Sequence, residues 1–198
     1  MRKLIATEFL SLDGVMQGPG SPDEDREGGF ELGGWQMQFV DEDQMKAAGE
    51  GIAQTDAYLF GRKTYEIMAA YWPNQPDTDP FAATLNGTPK YVVSTTLTQP
   101  LAWQNTTLIK GDVVSQIRAV KERPGGNITV LGSGELVQTL IRAGLIDEFG
   151  LMINPLVLGS GKRLFRDELA PLSLELIRST TTSKGVIIAT YRPTDRTT

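Results

Sequence analysis

The sequence contains neither cysteine nor histidine. The absence of cysteine excludes disulfide bonds, thiolate nucleophiles and thiolate metal ligands, and it fits a cytoplasmic protein. The absence of histidine excludes a Ser-His-Asp triad and histidine-ligated zinc or iron. We therefore expect no metal site, and any acid–base chemistry falls to carboxylates, Lys, Tyr, the substrate or water.

Positive charge and long apolar runs are also scarce. Lys and Arg total 19 against 24 Asp and Glu, a formal net charge of −5, and no run of basic residues stands out. This composition argues against a nucleic-acid partner, whereas an anionic small molecule needs only a local positive site. No apolar run reaches the length of a membrane span, and Glu8 follows Arg2 and Lys3 too soon for a signal peptide. We expect a cytoplasmic protein without membrane contact.

The length and the apolar pattern predict one α/β domain. The 198 residues include 40% hydrophobic and 22% charged residues, which is ordinary globular composition, and no internal boundary is evident. We assign the domain to residues 1–192 and a loose tail to 193–198. Strands that alternate with helices indicate a layered fold with a mainly parallel sheet.

The predicted elements follow from apolar periodicity and from Gly, Pro and Asp signals. Strands are expected at 3–9, 57–60, 90–94, 106–109, 128–131 and 149–153, with a closing antiparallel hairpin of 172–179 and 185–191. Helices are expected from Trp35 to about Gln54, from the turn at 61–64 to just before Pro73, at 80–86, after Asp112, and after the turn at 132–134. The loop at 11–34 is long and rich in Gly, Pro and Asp, as either filler or a mobile lid would be.

Two junctions between a strand and the next helix are the best candidates for a ligand site. They are Phe60-Gly61-Arg62-Lys63-Thr64 and Leu131-Gly132-Ser133-Gly134-Glu135. Each presents free backbone N–H groups and the positive end of a helix dipole at the carboxyl end of a strand, which suits a phosphate or pyrophosphate. The alternative is that both are ordinary turns, because neither completes a G-x-G-x-x-G or Walker A motif.

Two shorter segments are further candidates. Ser94-Thr95-Thr96 follows a predicted strand, and its hydroxyls suit either a ligand phosphate or a plain strand end. Asp13, in Ser11-Leu12-Asp13-Gly14, is either an acid–base carboxylate or part of an Asx-turn beside glycine.

Several motifs resemble the dihydrofolate reductase-like family, specifically the reductase domain at the C-terminus of the bifunctional riboflavin-biosynthesis deaminase–reductase. They occur in the expected order over residues 2 to 192: Ser11-Leu12-Asp13-Gly14, Leu59-Phe60-Gly61-Arg62-Lys63-Thr64-Tyr65-Glu66, Lys90-Tyr91-Val92-Val93-Ser94, Val130-Leu131-Gly132-Ser133-Gly134-Glu135-Leu136, Gly144-Leu145-Ile146-Asp147-Glu148, and Asn154-Pro155-Leu156-Val157-Leu158-Gly159-Ser160-Gly161-Lys162-Arg163-Leu164-Phe165. The last two are the most specific because they are long and contiguous. The deaminase half, which requires zinc ligands, is missing.

The resemblance implies a three-layer α-β-α fold with a central, mixed, mostly parallel sheet. It implies NADPH as cofactor, hydride transfer to a small heterocycle such as 5-amino-6-(5-phosphoribosylamino)uracil, and a homodimer that forms through edge strands. Cofactor contacts carry over to Gly61, Arg62, Lys63, Thr64, Ser94, Thr95, Leu131, Gly132, Ser133, Gly134 and Glu135. Asp13 is the candidate catalytic residue, as a proton donor or as a group that orients the substrate.

Two other functions remain open on the sequence. One is a pterin or dihydrofolate reductase, for which Asp41 and Glu42 are the candidates for the folate-binding carboxylate. The other is an NADPH-binding module without turnover. The glycine-containing turns favour cofactor binding in all three cases and do not distinguish among them.

Overall fold

The computed structural model describes residues 1–76 and 78–194. The strands are β1 (Leu4–Ser11), β2 (Thr55–Gly61), β3 (Lys90–Val93), β4 (Thr106–Ile109), β5 (Asn127–Leu131), β6 (Glu148–Asn154), β7 (Leu174–Thr181) and β8 (Ile187–Pro193). The helices are α1 (Glu42–Ala53), α2 (Arg62–Tyr71), α3 (Pro80–Gly87), α4 (Val113–Glu122) and α5 (Gly134–Arg142).

All eight strands form one sheet in the order β4-β3-β2-β5-β1-β6-β8-β7. The six strands from β4 to β6 are parallel to one another. Strand β8 runs antiparallel to β6, and β7 is antiparallel to β8. The predicted α/β fold, with a mostly parallel sheet and a C-terminal antiparallel hairpin, is confirmed. Because the six parallel strands end at one edge of the sheet, the loops that follow them gather there.

Helices cover both faces of the sheet because both faces of its central strands are apolar. On β2, Ala57 and Leu59 point into a core cluster that also contains residues of α4 and α5. The alternate residues Tyr58 and Phe60 point into a second cluster, which contains Tyr65 of α2 and Leu85 of α3. Near-continuous burial of this kind is typical of parallel strands between helical layers.

The first helix begins later than the sequence predicts. We expected it from Trp35, but α1 starts at Glu42, where the Asp41 side chain caps it by accepting the N–H of Gln44 at 2.9 Å. Residues 35–40 instead form turns and a short 3-10 segment. The Trp35 indole is buried beside Val15 and Phe30, so its apolar signal belongs to loop packing rather than to a helix face.

The hairpin lies where it is predicted, shifted by about two residues toward the C-terminus. Strand β7 begins at Leu174 rather than at residue 172, and β8 runs to Pro193, the residue at which the predicted tail begins. Most of the predicted tail, residues 195–198, lies outside the described residues. Among the helices of the described ranges, none is both long enough and apolar enough to cross a membrane.

Candidate functional site

The two predicted anion-binding turns meet at the carboxyl edge of the sheet. Strands β2 and β5 are neighbours, and the N–H of Gly61 at the end of β2 donates to Ser133 Oγ, after β5, at 2.8 Å. A Cβ at Gly132 would lie 3.5 Å from Thr64 Oγ1, so the backbone of one turn packs on the side chain of the other. The structure therefore brings 61–64 and 131–135 together as one surface.

The second turn exposes the backbone amides of α5. Gly132 and Ser133 have φ values of +57° and +69°, and this left-handed pair reverses the chain before the helix starts. Val137 is the first residue whose N–H reaches back to the Ser133 carbonyl, at 3.0 Å, which leaves the N–H groups of Gly134, Glu135 and Leu136 without an acceptor inside the helix. An array of this type is suited to an anion. The Ser133 hydroxyl holds the two turns together.

The cations of this surface already have carboxylate partners. Arg62 donates to Glu66 on its own helix at 2.8 Å, and Arg166 donates to Glu135 at 2.5 Å. The hydrogen bond from Arg166 lowers the pKa of Glu135, which stays ionised. The side chain of Arg62 is 40% exposed, so the pair with Glu66 is readily exchanged for a ligand phosphate.

The predicted hydroxyl segment lies one strand further along the same edge. Strand β3 borders β2, and Ser94 follows its last residue. The Ser94 hydroxyl is mostly buried and accepts the N–H groups of Thr96 at 3.1 Å and Leu97 at 2.9 Å, so it closes a local turn. Thr95 is exposed beside it. The segment is therefore in reach of the edge, with Thr95 rather than Ser94 free to meet a ligand.

Asp13 follows β1 at the same edge, and its carboxylate is held by a distant loop. It accepts the N–H groups of Leu158 at 3.0 Å and Gly159 at 2.9 Å, and Arg163 approaches to 3.4 Å. The hydrogen bond from the Ser11 hydroxyl at 2.7 Å, together with those two N–H groups, holds the pKa of Asp13 well below its usual range, although desolvation opposes the shift. An ionised carboxylate with these partners is better suited to orienting a loop or a substrate than to giving up a proton.

Of the two other candidate carboxylates, Asp41 has structural partners and Glu42 is exposed in the first turn of α1. Besides capping α1, Asp41 accepts the Ser183 hydroxyl at 2.9 Å and the N–H of Lys184 at 3.0 Å, which ties α1 to the β7–β8 turn. Within residues 1–76 and 78–194, no three Asp or Glu side chains are arranged to hold a metal ion.

The long loop between β1 and α1 lies against the same surface. The sequence alone does not indicate where this loop lies. The Gln17 side chain donates to the carbonyls of Asp25 and Glu27 and accepts the N–H of Lys162. A Cβ at Gly134 would lie 3.2 Å from Met16 Sδ, so the loop packs directly on the start of α5. The sequence places Lys162 in the motif at 154–165 but assigns no role to it or to Gln17, because the hydrogen bond between them joins residues 145 positions apart.

A cavity of about 690 Å³ opens at the opposite edge of the sheet. Its walls include the start of β6, the end of α5 and the segment at 169–172. None of the predicted site residues lines it. Since the backbone amides and the paired cations lie at the other edge, we place the candidate site there and not in this cavity.

Comparisons with known proteins show which family the sequence matches. The model of the RibD C-terminal domain family matches residues 2–188. The uncharacterized protein YyaP of Bacillus subtilis (strain 168) is 33% identical over 143 residues, which cover 71% of this chain and 75% of YyaP.

Two solved structures share the fold. The putative riboflavin biosynthesis protein from Shewanella sp. PV-4 superposes with a TM-score of 0.68 and 22% identity, covering 97% of this chain and 99% of that one. The dihydrofolate reductase from Enterococcus faecalis, complexed with NADP(H) and RAB-propyl, superposes with a TM-score of 0.62 and 16% identity, covering 98% and 97%. The expected dihydrofolate reductase-like architecture is therefore confirmed.

Proposed function

Because the chain belongs to the RibD C-terminal domain family, we propose that it is an NADPH-dependent reductase of a small heterocycle. The observation that carries the proposal is the contact between the two strand-to-helix turns, made by the hydrogen bond from Gly61 to Ser133. It puts the amino ends of α2 and α5 side by side at the sheet edge, where a dinucleotide would meet two sets of backbone amides. When bound, NADPH supplies the hydride.

The residues present fit the phosphates of such a cofactor. The turn of Gly132 to Glu135 offers the amide-rich corner for the pyrophosphate. The turn of Gly61 to Thr64 borders it, and Arg62, with Thr95 nearby on the same edge, suits the adenosine 2′-phosphate because guanidinium pairs with phosphate in a forked geometry. This arrangement supports NADPH over NADH as the cofactor.

The substrate we propose is a phosphoribosylamino-pyrimidine of the 5-amino-6-(5-phosphoribosylamino)uracil type. Family membership supports this class. Asp13 is proposed to orient the substrate-side loop at 158–163, through its hydrogen bonds to Leu158 and Gly159. A pterin or dihydrofolate substrate and a module without turnover are the alternatives that a substrate panel separates.

The first test is NADPH binding by isothermal titration calorimetry, with NADH as the comparison. We expect wild-type protein to bind NADPH at least tenfold more tightly than NADH, a difference of about 1.4 kcal/mol. Arg62→Ala should remove most of that preference, whereas Arg118→Ala, an exposed arginine on α4, should keep it. NADPH oxidation is then followed with pyrimidine, pterin and folate substrates. If neither NADPH nor NADH binds, the reductase proposal is overturned.

A further inference from the structure

One carboxylate oxygen in the long loop accepts hydrogen bonds from two lysines that belong to other parts of the fold. Glu27 Oε2 accepts from Lys162 Nζ at 2.5 Å and also from Lys63 Nζ. Lys63 belongs to the first turn of α2, and Lys162 to the loop after β6. Three remote segments therefore converge on a single atom beside the candidate site.

The two ammonium groups face the same Glu27 oxygen, and Lys162 also pairs with Asp25 at 2.6 Å. Since both lie within hydrogen-bond distance of the same oxygen, they are no more than roughly 6 Å apart. The hydrogen bond from Lys162, followed in size by the one from Lys63, lowers the pKa of Glu27 to about 2. The lysine pair lies beside the first anion-binding turn, because Lys63 itself belongs to residues 61–64. Two lysines around one anionic oxygen are also suited to a phosphate oxygen.

The bond that Glu27 makes is easily exchanged. The side chains of Lys63 and Glu27 are 52% and 55% exposed, and exposed ion pairs are screened by water and salt. The loop itself is held by other contacts: Gln17 donates to two of its carbonyls, and the Trp35 indole donates to the Gln17 carbonyl at 2.8 Å. Glu27 can therefore leave by rotation of its side chain, without unfolding the loop.

We infer that Lys63 and Lys162 form a binding site for a ligand phosphate, and that Glu27 occupies this site as an internal competitor. The inference rests on the proposed function, because it concerns a phosphate of the cofactor or of a phosphorylated substrate at the same edge. Two lysines that face one anionic oxygen suit a phosphate group, and the binding probes distinguish a cofactor phosphate from a substrate phosphate.

The test compares Glu27→Gln with Asp23→Asn by calorimetry with NADPH, NADH and ribose 5-phosphate. Asp23→Asn removes the same charge from the same loop, but among the described residues Asp23 pairs with Arg26 alone, at 2.6 Å. We expect Glu27→Gln to tighten binding of at least one probe by about threefold to tenfold, and Lys162→Met to weaken it by a similar factor. Asp23→Asn should leave it within twofold.

The probes identify the source of the phosphate. If Glu27→Gln binds only NADPH more tightly, the lysines bind the 2′-phosphate. If it binds both nucleotides more tightly by the same factor, they bind the pyrophosphate. If it binds ribose 5-phosphate more tightly, they bind a substrate phosphate. If Glu27→Gln and Asp23→Asn behave alike, or if no probe binds more tightly to Glu27→Gln, the inference is wrong even where NADPH binds well. If ribose 5-phosphate alone binds and gains, the lysine site stands while the cofactor proposal fails.

Discussion

The hydrogen-bond partners of Asp13 decide whether its side chain can serve as a proton donor. In sequence it is the candidate catalytic residue, whereas in the fold two backbone N–H groups and a serine hydroxyl hold it ionised. A carboxylate whose pKa lies well below the usual range is not protonated at neutral pH. The proton for a reduction must then come from water, the substrate or another group.

We predict that Asp13→Asn destabilises the protein by about 1–2 kcal/mol, because a charge-assisted acceptor is replaced by a neutral one. Turnover should fall because the loop at 158–163 loses its anchor, but the pH profile of kcat above pH 5 should keep its shape. Urea unfolding and a pH series of NADPH oxidation measure the two effects. Loss of a titrating limb from that profile in Asp13→Asn would show that Asp13 does supply the proton.

Glu8 is a second carboxylate in an unusual environment, inside the core. It lies on β1 with 2% of its surface exposed, on the same strand face as Leu4, Ala6 and Leu10. Among the described residues its Oε1 has no hydrogen-bond partner, and burial raises its pKa well above the usual value of 4.5. The folded protein therefore favours the protonated form.

The sign of the pH effect follows from this shift. The folded state holds a proton that the unfolded state releases above pH 4.5, so stability is full below that value and is lost as pH rises toward the folded-state pKa. We predict that Glu8→Gln is more stable than wild type at pH 8, because the buried amide does not have to hold a proton that the unfolded chain releases. The difference should shrink toward pH 4 in urea unfolding. Glu50→Gln, an exposed change on α1, should not alter the pH slope; a wild-type slope in Glu8→Gln would refute the assignment.

At the scale of elements, local signals were enough for most strands and helices. The apolar run at Ala57–Phe60 lies in β2, the capping signal at Asp112 precedes α4, and the glycine turn before α5 begins that helix within one residue of the expected point. Because parallel strands end at one edge, the approximate place of the candidate site followed from these elements alone.

The sequence could not predict the contacts that depend on distant residues. Trp35 carries the apolar signal of a helix, but its burial beside Val15 and Phe30 belongs to loop packing. Ser133 is one of the predicted cofactor contacts, and its hydroxyl also accepts the N–H of a residue 72 positions away, a contact that no local pattern indicates. Lys162 meets Asp25 and Glu27 across more than 130 residues, for which no local pattern exists.

For the whole molecule, the two outermost strands of the sheet, β4 and β7, differ in length and exposure. Strand β4 at one end has only four residues. Strand β7 at the other has eight, almost all exposed, including Leu176 at 50% and Ile177 at 45%. A long edge strand with exposed aliphatic side chains and unpaired backbone groups favours pairing with a second chain.

We therefore propose a homodimer formed through the β7–β8 hairpin, as the family resemblance also implies. Wild-type protein should sediment as a dimer at micromolar concentration, and Leu176→Lys should shift it to monomer because the buried contact would then contain an unpaired charge. Met45→Lys, which alters a side chain of similar exposure on α1, should leave the dimer intact. Sedimentation velocity over a range of concentrations measures this directly. A wild-type monomer throughout that range would contradict the dimer, whereas a dimer that survives Leu176→Lys would place the interface on another surface.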